Sequence, residues 1–167
     1  MKTHKLELPL DSKTIKSLER GDKILLSGTI YTARDLAHIR LIEMMRSNEE
    51  IPIPWPETAL FYCGPSPTPP GRVSGAIGPT TSARMDAFTP LLLEQGLKVM
   101  IGKGERSPET EAAILKHQAL YLICVGGASA LLTQCVVSRE TFLWPSLGAE
   151  AVYRFVVQDL PCYVAVV

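Results

Sequence analysis

The run at residues 78–86, Gly-Pro-Thr-Thr-Ser-Ala-Arg-Met-Asp, has the residue types of an anion-binding site. It predicts a loop that turns into a helix, with hydroxyl groups at the opening and Arg84 one turn further in. The first N–H groups of a helix lack intrahelical partners and the helix dipole makes that end positive, so it attracts anions. Thr80 and Arg84 stand four residues apart and share a face. The run therefore predicts a site for a carboxylate or a phosphate, and the alternative is an ordinary capped helix with a solvated arginine.

A second cluster lies at residues 31–38, Tyr-Thr-Ala-Arg-Asp-Leu-Ala-His, after a predicted strand. Arg34 and His38 stand four residues apart, so in a helix they share a face and can meet one ligand. The alternative is that Arg34 pairs with a surface acid while His38 is a partly buried helix residue. Taken alone, this cluster favours that structural alternative.

A third cluster, Gly102-Lys103-Gly104, directly follows an apolar segment that is predicted as a strand. Flanking glycines let a backbone approach closely and leave the lysine projecting from a tight turn. The segment is not a P-loop, because Leu97 stands where a P-loop needs glycine and Gly104 where it needs Ser or Thr. An exposed lysine in a plain β-turn is the alternative. Residues 126–129, Gly-Gly-Ala-Ser, form another strand-to-helix turn, for which we predict tight packing and no ligand.

Arg34, Arg84 and Lys103 are three cations on three separate elements, each close to the end of a predicted strand or the start of a helix. A small dianion such as a dicarboxylate explains all three, with a cationic clamp for each end, and a phosphate ester is the competing ligand. No nucleophile–base pair, Gly-x-Ser-x-Gly elbow or metal-ligand spacing accompanies them. Asp35 and Asp86 lie in predicted helices, where local capping or pairing is the default role. The sequence thus indicates half of a site, with anion clamps and no electrophile.

The composition narrows the class of protein. The 167 residues are predicted to form a single domain, residues 1–167. A formal net charge of zero argues against nucleic acid or an anionic membrane surface as a partner. No stretch of about 18 apolar residues could span a bilayer, and residues 1–7 lack the apolar segment of a signal peptide, so we predict a cytoplasmic protein.

The four cysteines are far apart in sequence and form no Cys-x-x-Cys pair: Cys63, Cys124, Cys135 and Cys162. This spacing predicts buried thiols in a reducing compartment. It argues against a zinc site or a complete iron–sulfur site within this chain.

Strand and helix patterns alternate along most of the chain, which predicts the α/β class. Strands are predicted at residues 5–8, 23–30, 59–63, 98–101, 119–125, 151–157 and 162–167, with a further short one within 71–77. Helices are predicted at residues 11–20, 33–46 and 80–94, from Ser107 onward, and after the glycines at 126–127 up to 135, with proline-rich loops at 47–57 and 64–71. The unit from Lys98 to Tyr121 predicts a right-handed crossover between parallel strands.

The chain resembles the β subunit of class I, iron–sulfur-dependent fumarate hydratases, whose relatives include the L(+)-tartrate dehydratase β subunits. The matching motifs come in the family's order and cover nearly the whole chain: residues 32–38, 62–65, 78–86, 101–104 and 147–151. The resemblance implies a swivelling β/β/α domain, with a mixed sheet and flanking helices, that closes over a 4Fe–4S cluster. That cluster is held by a different polypeptide or domain, so this chain is expected to bind no metal or cofactor of its own.

The resemblance also implies roles for the residues singled out above. Arg34, Arg84 and Lys103 would bind the substrate carboxylates, while Thr80 and Thr81 would line the reacting centre. Thr80 is the implied catalytic base, although a threonine hydroxyl needs help from neighbouring cations in that role. His38 would contact the substrate or support a residue that does.

The implied reaction is the reversible hydration of fumarate to L-malate, a step of the tricarboxylic acid cycle. The implied enzyme is a hydro-lyase that is active only with an α subunit, with two β subunits paired within a heterotetramer. Residues 32–38 and 84–89 resemble fumarases more than tartrate enzymes. The alternatives are a tartrate dehydratase β subunit and a stand-alone dicarboxylate- or phosphate-binding module.

Overall fold

Seven strands and five α-helices alternate along residues 1–125 and 127–167, the parts of the chain that the computed structural model describes. The strands are β1 (Thr3–Glu7), β2 (Lys23–Thr32), β3 (Ala59–Phe61), β4 (Val99–Gly102), β5 (Leu120–Ile123), β6 (Val136–Leu143) and β7 (Val152–Val166). The helices are α1 (Ser12–Lys16), α2 (Asp35–Arg46), α3 (Thr89–Glu94), α4 (Pro108–Lys116) and α5 (Ser129–Thr133). Short 3-10 turns lie at Trp55–Glu57, Ser82–Met85 and Pro145–Glu150.

The strands form one mixed sheet in the order β1-β2-β3-β4-β5-β7-β6. Strands β1 to β5 run parallel to one another, and β7 runs antiparallel to β2, β5 and β6. Because β7 pairs with both β2 and β5, the sheet closes on itself around β2, β3, β4, β5 and β7. The α/β class and the mixed sheet with flanking helices are confirmed, whereas the swivelling motion stays a prediction.

The two faces of the sheet are both apolar, because successive side chains of a strand point to opposite sides. One cluster contains the side chains on the inner side of the closed sheet, among them Phe61, Ile101 and Leu122. The other contains the alternating neighbours together with apolar residues of the helices, among them Leu60, Met100, Tyr121, Leu41, Leu92 and Ile114. Helices α2, α3 and α4 therefore cover the outer face and fix where the strand ends lie.

Two predicted helix starts are confirmed by their caps. The Asp11 carboxylate accepts a hydrogen bond from the Thr14 N–H at 2.7 Å, at the start of α1. Ser107 Oγ accepts the Thr110 N–H at 3.2 Å and Pro108 is the first residue of α4. The predicted crossover through α4 also joins parallel strands, since β4 and β5 are parallel. These elements follow from local sequence signals.

The end of the chain differs from the prediction of two closing strands. Residues 152–166 form the single strand β7, whose register against β2 shifts between Leu26 and Gly28. Asp159 has a φ of 51°, a left-handed conformation that Asp tolerates better than most residues. A bulge at Gln158 and Asp159 therefore interrupts the apolar pattern without ending the strand.

Residues 136–143 form β6, which the sequence did not predict. Among the described strands it pairs only with β7, so it lies at an edge of the sheet, and most of its side chains are partly or fully exposed. An edge strand lacks the strong apolar alternation that marks a half-buried strand. The predicted strand within 71–77 is not formed, and α5 ends at Thr133 rather than at residue 135.

The parallel strands bring the predicted site segments to one edge of the sheet. Residues following β2, β3 and β4 include Arg34, Cys63 and Lys103, respectively. Since carboxyl ends of neighbouring parallel strands meet at the same edge, this is where α/β sheets bind ligands. Within the described residues, no helix has the length and apolar content that crossing a membrane requires.

Candidate functional site

The segment at residues 78–82 crosses the carboxyl ends of β3 and β4. Pro79 forms an isolated bridge with Cys63, and Thr81 forms another with Lys103. The Thr80 N–H donates to the Tyr62 carbonyl at 2.7 Å, and the Ser82 N–H donates to the Lys103 carbonyl at 3.0 Å. The threonines are thus held at the sheet edge by backbone pairing.

That pairing makes the prediction of one helix from Thr80 to residue 94 wrong. The chain instead forms the 3-10 turn Ser82–Met85, and helix α3 begins after three intervening residues. Because the N–H groups of Thr80 and Ser82 are already bonded to carbonyl groups, they do not form the free helix end that the sequence suggested. These two N–H groups are therefore not available to an anion.

Thr80 and Arg84 nevertheless meet as their spacing predicted. Arg84 Nη2 donates to Thr80 Oγ1 at 2.7 Å. The same guanidinium donates to both carboxylate oxygens of Asp35, with Nε–Oδ1 at 3.0 Å and Nη2–Oδ2 at 3.3 Å. The hydrogen bond from Arg84 lowers the pKa of Asp35, and the same bond raises the pKa of Arg84. Arg84 is a fixed cation at hydrogen-bond distance from a hydroxyl.

Arg34 lies at the start of α2, beside the turn Pro145–Glu150. Its Nε is 3.9 Å from Glu150 Oε1 and, within the described chain, has no hydrogen-bond partner. The side chain packs on Gly64: a Cβ there would lie 2.7 Å from Arg34 Cδ and 3.0 Å from the Ala149 carbonyl oxygen. Gly64 thus provides the room in which the guanidinium of Arg34 sits.

Lys103 and Thr81 are exposed at the same edge. The Lys103 N–H donates to Ser82 Oγ at 3.1 Å, which fixes the backbone from which the ammonium group extends. A Cβ on Gly102 would overlap Ser82 Oγ, so only glycine allows this approach. The structure therefore brings the predicted residues Arg34, Thr80, Thr81, Arg84 and Lys103 to one edge.

His38 lies below this edge rather than on it. It is fully buried, 0% exposed, between the rings of Tyr62 and Phe88, with centroid distances of 5.6 and 5.4 Å. Its Nδ1 is 2.8 Å from the Arg34 carbonyl oxygen, and its Nε2 has no partner among the described residues. Burial lowers the pKa of His38 to about 4, so the ring is neutral at pH 7. In this conformation His38 reaches the site only through the backbone of Arg34, and a substrate contact stays a prediction.

Beneath the edge lies an arginine that the sequence did not single out. Arg106 is buried and donates from Nε to Asp86 Oδ1 and from Nη2 to Thr89 Oγ1, both at 2.6 Å. Its guanidinium also stacks on the rings of Tyr62 and Tyr121, at 5.2 and 4.9 Å from their centroids. This buried arginine network joins the segment that carries Arg84 to the loop that follows β4.

The sequence contained signals for three of the missed contacts. Asp86 lies in the 78–86 run but was interpreted as a local cap, whereas its second oxygen accepts the Ser107 N–H at 2.9 Å across the network. Glu150 lies in the matching motif 147–151 without an assigned role. Asp35 was likewise expected to pair locally, yet its partner Arg84 is 49 residues away.

The cysteines are buried or partly buried free thiols, as predicted. Burial raises the pKa of Cys63 to about 12, which keeps that thiol protonated at pH 7. Cys124 Sγ and Cys162 Sγ lie 3.4 Å apart, although the two residues are distant in sequence. Across residues 1–125 and 127–167, no three His, Cys, Asp or Glu side chains are grouped so that they could hold a metal ion.

The fourth predicted turn is only partly described, because Gly126 lies outside the described residues. Within the described part, Ser129 packs closely, as a Cβ on Gly78 would lie 2.5 Å from Ser129 Oγ at the start of α5, whereas a Cβ on Gly127 would have no heavy atom within 4 Å. The tight packing predicted for residues 126–129 is thus found at Ser129 and not at Gly127, which is exposed.

Comparison with known proteins gives one family and several relatives. The family described as Fumarase C-terminus matches residues 1–167. Fumarate hydratase 2 of Leishmania major is 36% identical over 165 residues, which are 96% of this chain and 29% of the relative. The class I aerobic fumarate hydratase of Escherichia coli (strain K12) is 39% identical over 146 residues, 86% of this chain and 27% of the relative.

A further relative carries a different substrate in its name. The L(+)-tartrate dehydratase subunit beta of Escherichia coli (strain K12) is 36% identical over 148 residues, 86% of this chain and 71% of the relative. The chain thus spans less than a third of the length of the two fumarate hydratases. The predicted resemblance to fumarate hydratase and tartrate dehydratase β subunits is confirmed.

Proposed function

The chain belongs to the Fumarase C-terminus family, and from that premise we propose that it is the β part of a hydro-lyase that reversibly hydrates fumarate to L-malate. The named relatives are fumarate hydratases and tartrate dehydratase β subunits, all of which add or remove water. The observation that carries the proposal is the 2.7 Å hydrogen bond from Arg84 Nη2 to Thr80 Oγ1 at the sheet edge. This bond supports the proposal because it joins the hydroxyl group proposed to transfer the proton to a cation proposed to bind a carboxylate.

Thr80 is proposed to move the proton at carbon. In the dehydration direction its deprotonated Oγ takes the proton from the carbon next to a carboxylate, the electrons of that C–H bond form the C=C bond, and the hydroxyl group leaves the neighbouring carbon with the C–O electron pair. The departing hydroxide and the proton held by Thr80 together make the water that is released, which restores the deprotonated Oγ. Hydration runs the same transfer in reverse. A cation at hydrogen-bond distance favours the deprotonated hydroxyl, so Arg84 supplies the help that a threonine needs as a base.

The cations at the edge are proposed to bind the two carboxylates of the substrate. Loss of a proton beside a carboxylate moves negative charge onto that carboxylate. A clamp from Arg34, Arg84 or Lys103 therefore stabilises the transition state more than the ground state, which lowers the barrier. By analogy with oxyanion donors, one such cation contributes about 3 kcal/mol. Thr81, exposed beside Lys103, is proposed to line the same site.

We assign the 4Fe–4S cluster to a partner chain or domain. In the described part of this chain, no grouping of three metal-ligating side chains could hold a metal ion, and the Cys63 thiol is held protonated by burial. The described residues of this chain therefore do not fit a cluster site. The roles proposed for Thr80, Arg34 and Lys103 do not depend on a cluster bound to this chain.

The proposed partner is a cluster-bearing α chain. Relatives with the words subunit beta in their names support a partner subunit, and the fumarate hydratases extend far beyond the aligned region. We propose an assembly with two α and two β chains, joined in part by a β–β contact, acting in the cytoplasm on a small dicarboxylate.

L(+)-tartrate is the second candidate substrate, because two relatives are named as β subunits of tartrate dehydratase. Fumarate remains first, since residues 32–38 and 84–89 resemble fumarases more than tartrate enzymes. A stand-alone dicarboxylate-binding module is the alternative outside enzymes. It predicts tight binding of malate by this chain alone, measured by titration calorimetry.

Anaerobic co-purification with a cluster-bearing α chain, followed by hydratase assays, tests the proposal. We expect fumarate turnover that requires both chains. Turnover of tartrate alone would change the substrate and leave the roles of Thr80 and Arg84 in place. A complex without activity on either substrate, or full activity of this chain without a partner or metal, would contradict the proposal.

A further inference from the structure

Asp35 makes the best-defined contact at the sheet edge, yet neither the resemblance nor the proposed reaction gives it a role. It is the first residue of α2, directly after Arg34. Both of its oxygens accept hydrogen bonds from Arg84, at 3.0 Å from Nε and 3.3 Å from Nη2. We propose that Asp35 is a positioning residue that directs Arg84 at Thr80, an inference that rests on the proposed function.

The geometry explains how the Asp35 carboxylate can orient the Arg84 guanidinium and still leave it a proton to donate to Thr80. A guanidinium is planar, so two parallel hydrogen bonds fix both its position and its plane. Arg84 Nη2 carries two protons and has two acceptors, Asp35 Oδ2 at 3.3 Å and Thr80 Oγ1 at 2.7 Å. With the Asp35 bonds in place, the Nη2 proton that remains points at the Thr80 oxygen. Asp35 therefore sets the direction of the bond on which the activity of Thr80 depends.

Without Asp35, Arg84 would be a long side chain on the surface. Its side chain is 44% exposed, and the turn that carries it, Ser82–Met85, is only four residues long. An arginine that loses its partner samples many rotamers, each with a different Nη2 position. The carboxylate is itself held on a 12-residue helix whose buried side includes Ala37 and Leu41. Through Asp35, helix α2 thus restricts the rotamers that the Arg84 side chain can adopt.

A purely structural role is the competing explanation, since the pair also links α2 to the 3-10 turn. The two roles predict different measurements. A structural tie changes the melting temperature and leaves the kcat of the folded complex intact. A positioning role lowers kcat through Arg84 and leaves the melting temperature nearly unchanged, because exposed ion pairs contribute little to stability.

The test uses the assembled complex with its partner chain, with fumarate as substrate. Asp35→Asn keeps the side-chain shape and removes the charge and one acceptor oxygen. We expect kcat to fall about 10- to 100-fold, as displacement of a reacting group by an ångström does, with KM changed less. Glu43→Gln is the matched control, an exposed carboxylate later on the same helix, and should leave both parameters unchanged.

A double substitution asks whether Asp35 acts through Arg84. In an Arg84→Lys background, Asp35→Asn should cause little additional loss of kcat, because the directed Nη2 group is already gone. Losses that multiply would overturn the proposal, as would a kcat for Asp35→Asn equal to that of Glu43→Gln. A fall in melting temperature without a fall in kcat would assign Asp35 the structural role instead.

Nuclear magnetic resonance separates this inference from the proposed function. In the wild-type chain we expect the Arg84 Nε–H proton to exchange slowly with water, because Asp35 accepts it. Asp35→Asn should speed that exchange at least about tenfold while Glu43→Gln does not. Unchanged exchange overturns the positioning role whatever the activity. Faster exchange in a complex that lacks hydratase activity leaves the orientation of Arg84 supported and overturns the proposed reaction.

Discussion

Two arginine–aspartate pairs in this chain have the same chemistry and different surroundings. Arg84 and Asp35 have side chains 44% and 36% exposed, with Nε and Oδ1 3.0 Å apart. Arg106 and Asp86 have side chains 0% and 15% exposed, with Nε and Oδ1 2.6 Å apart. An exposed pair contributes about 0–1 kcal/mol to stability, whereas breaking a buried pair costs about 3–5 kcal/mol. The outer pair, Arg84 and Asp35, is thus free to act on a ligand. The inner pair, Arg106 and Asp86, holds together the segments that carry the outer pair.

The inner pair is tied into the core, and the outer pair is not. Arg106 also bonds Thr89 and stacks on two tyrosine rings, so every face of its guanidinium is in contact with protein. Arg84 contacts Asp35 and Thr80 and leaves the rest of its surface to solvent. Substitutions that remove one charge at a time can therefore separate stability from activity.

The largest expected effect is on stability. Arg106→Gln leaves the Asp86 carboxylate with little solvent and without its cation. We expect the free energy of unfolding, from urea titration, to fall by about 3–5 kcal/mol. Arg84→Gln, the matched change in the outer pair, should lower it by less than about 1 kcal/mol. Equal losses in the two variants would remove the distinction between the pairs.

The next effect is on activity, and here the outer pair, Arg84 and Asp35, matters more than the inner pair. In the assembled complex, Arg84→Gln should lower kcat/KM for fumarate about 10²- to 10³-fold, the range measured when one oxyanion donor is removed. The melting temperature should stay close to that of the wild type. Lys98→Gln, whose ammonium group donates to the His117 carbonyl outside the site, is the control and should keep full activity. An active Arg84→Gln complex would show that the outer pair has no catalytic use.

A smaller effect concerns His38, whose pKa responds to one charged member of each pair, Asp35 and Arg106. Burial lowers its pKa from 6.5 to about 4; the Arg34 carbonyl and the Asp35 charge oppose that shift and the Arg106 charge adds to it. The unfolded chain therefore binds a proton at a higher pH than the folded chain. The contribution of His38 to stability is complete above about pH 6.5 and is lost as the pH falls toward about 4, by about 3 kcal/mol in total.

Urea titrations at several pH values between these limits measure that contribution. His38→Gln cannot titrate, so its free energy of unfolding should depend less steeply on pH than that of the wild type. Identical pH slopes for the two proteins would show that the ring is not buried and neutral.

Local signals in the sequence predicted most of the fold. The caps at Asp11 and Ser107 and the apolar runs of β3 to β5 were sufficient to place their elements. The sequence also placed Arg34 and Lys103 close to the ends of predicted strands, which is where the structure has them. These predictions succeeded because each depends on neighbours in sequence.

The rest depends on pairing between distant segments. The run after Gly78 has the pattern of a helix start, but its backbone bonds to Tyr62 and Lys103, and that pairing outweighs local propensity. The sheet closes because β7 pairs with both β2 and β5. The bulge at Asp159 interrupts the apolar pattern of β7, so the sequence does not show that it is one strand. The partners of Arg84 and Arg106 are likewise set by tertiary packing.

The central claim is that Thr80, activated by Arg84, transfers the proton in the hydratase reaction. The most direct measurement is kcat and KM for fumarate in the assembled Thr80→Val complex, beside a Thr141→Val control on the exposed strand β6. We predict that kcat falls about 10²- to 10⁴-fold for Thr80→Val while KM changes only a few-fold, with Thr141→Val unchanged. A Thr80→Val complex with the kcat of the wild type would contradict the account.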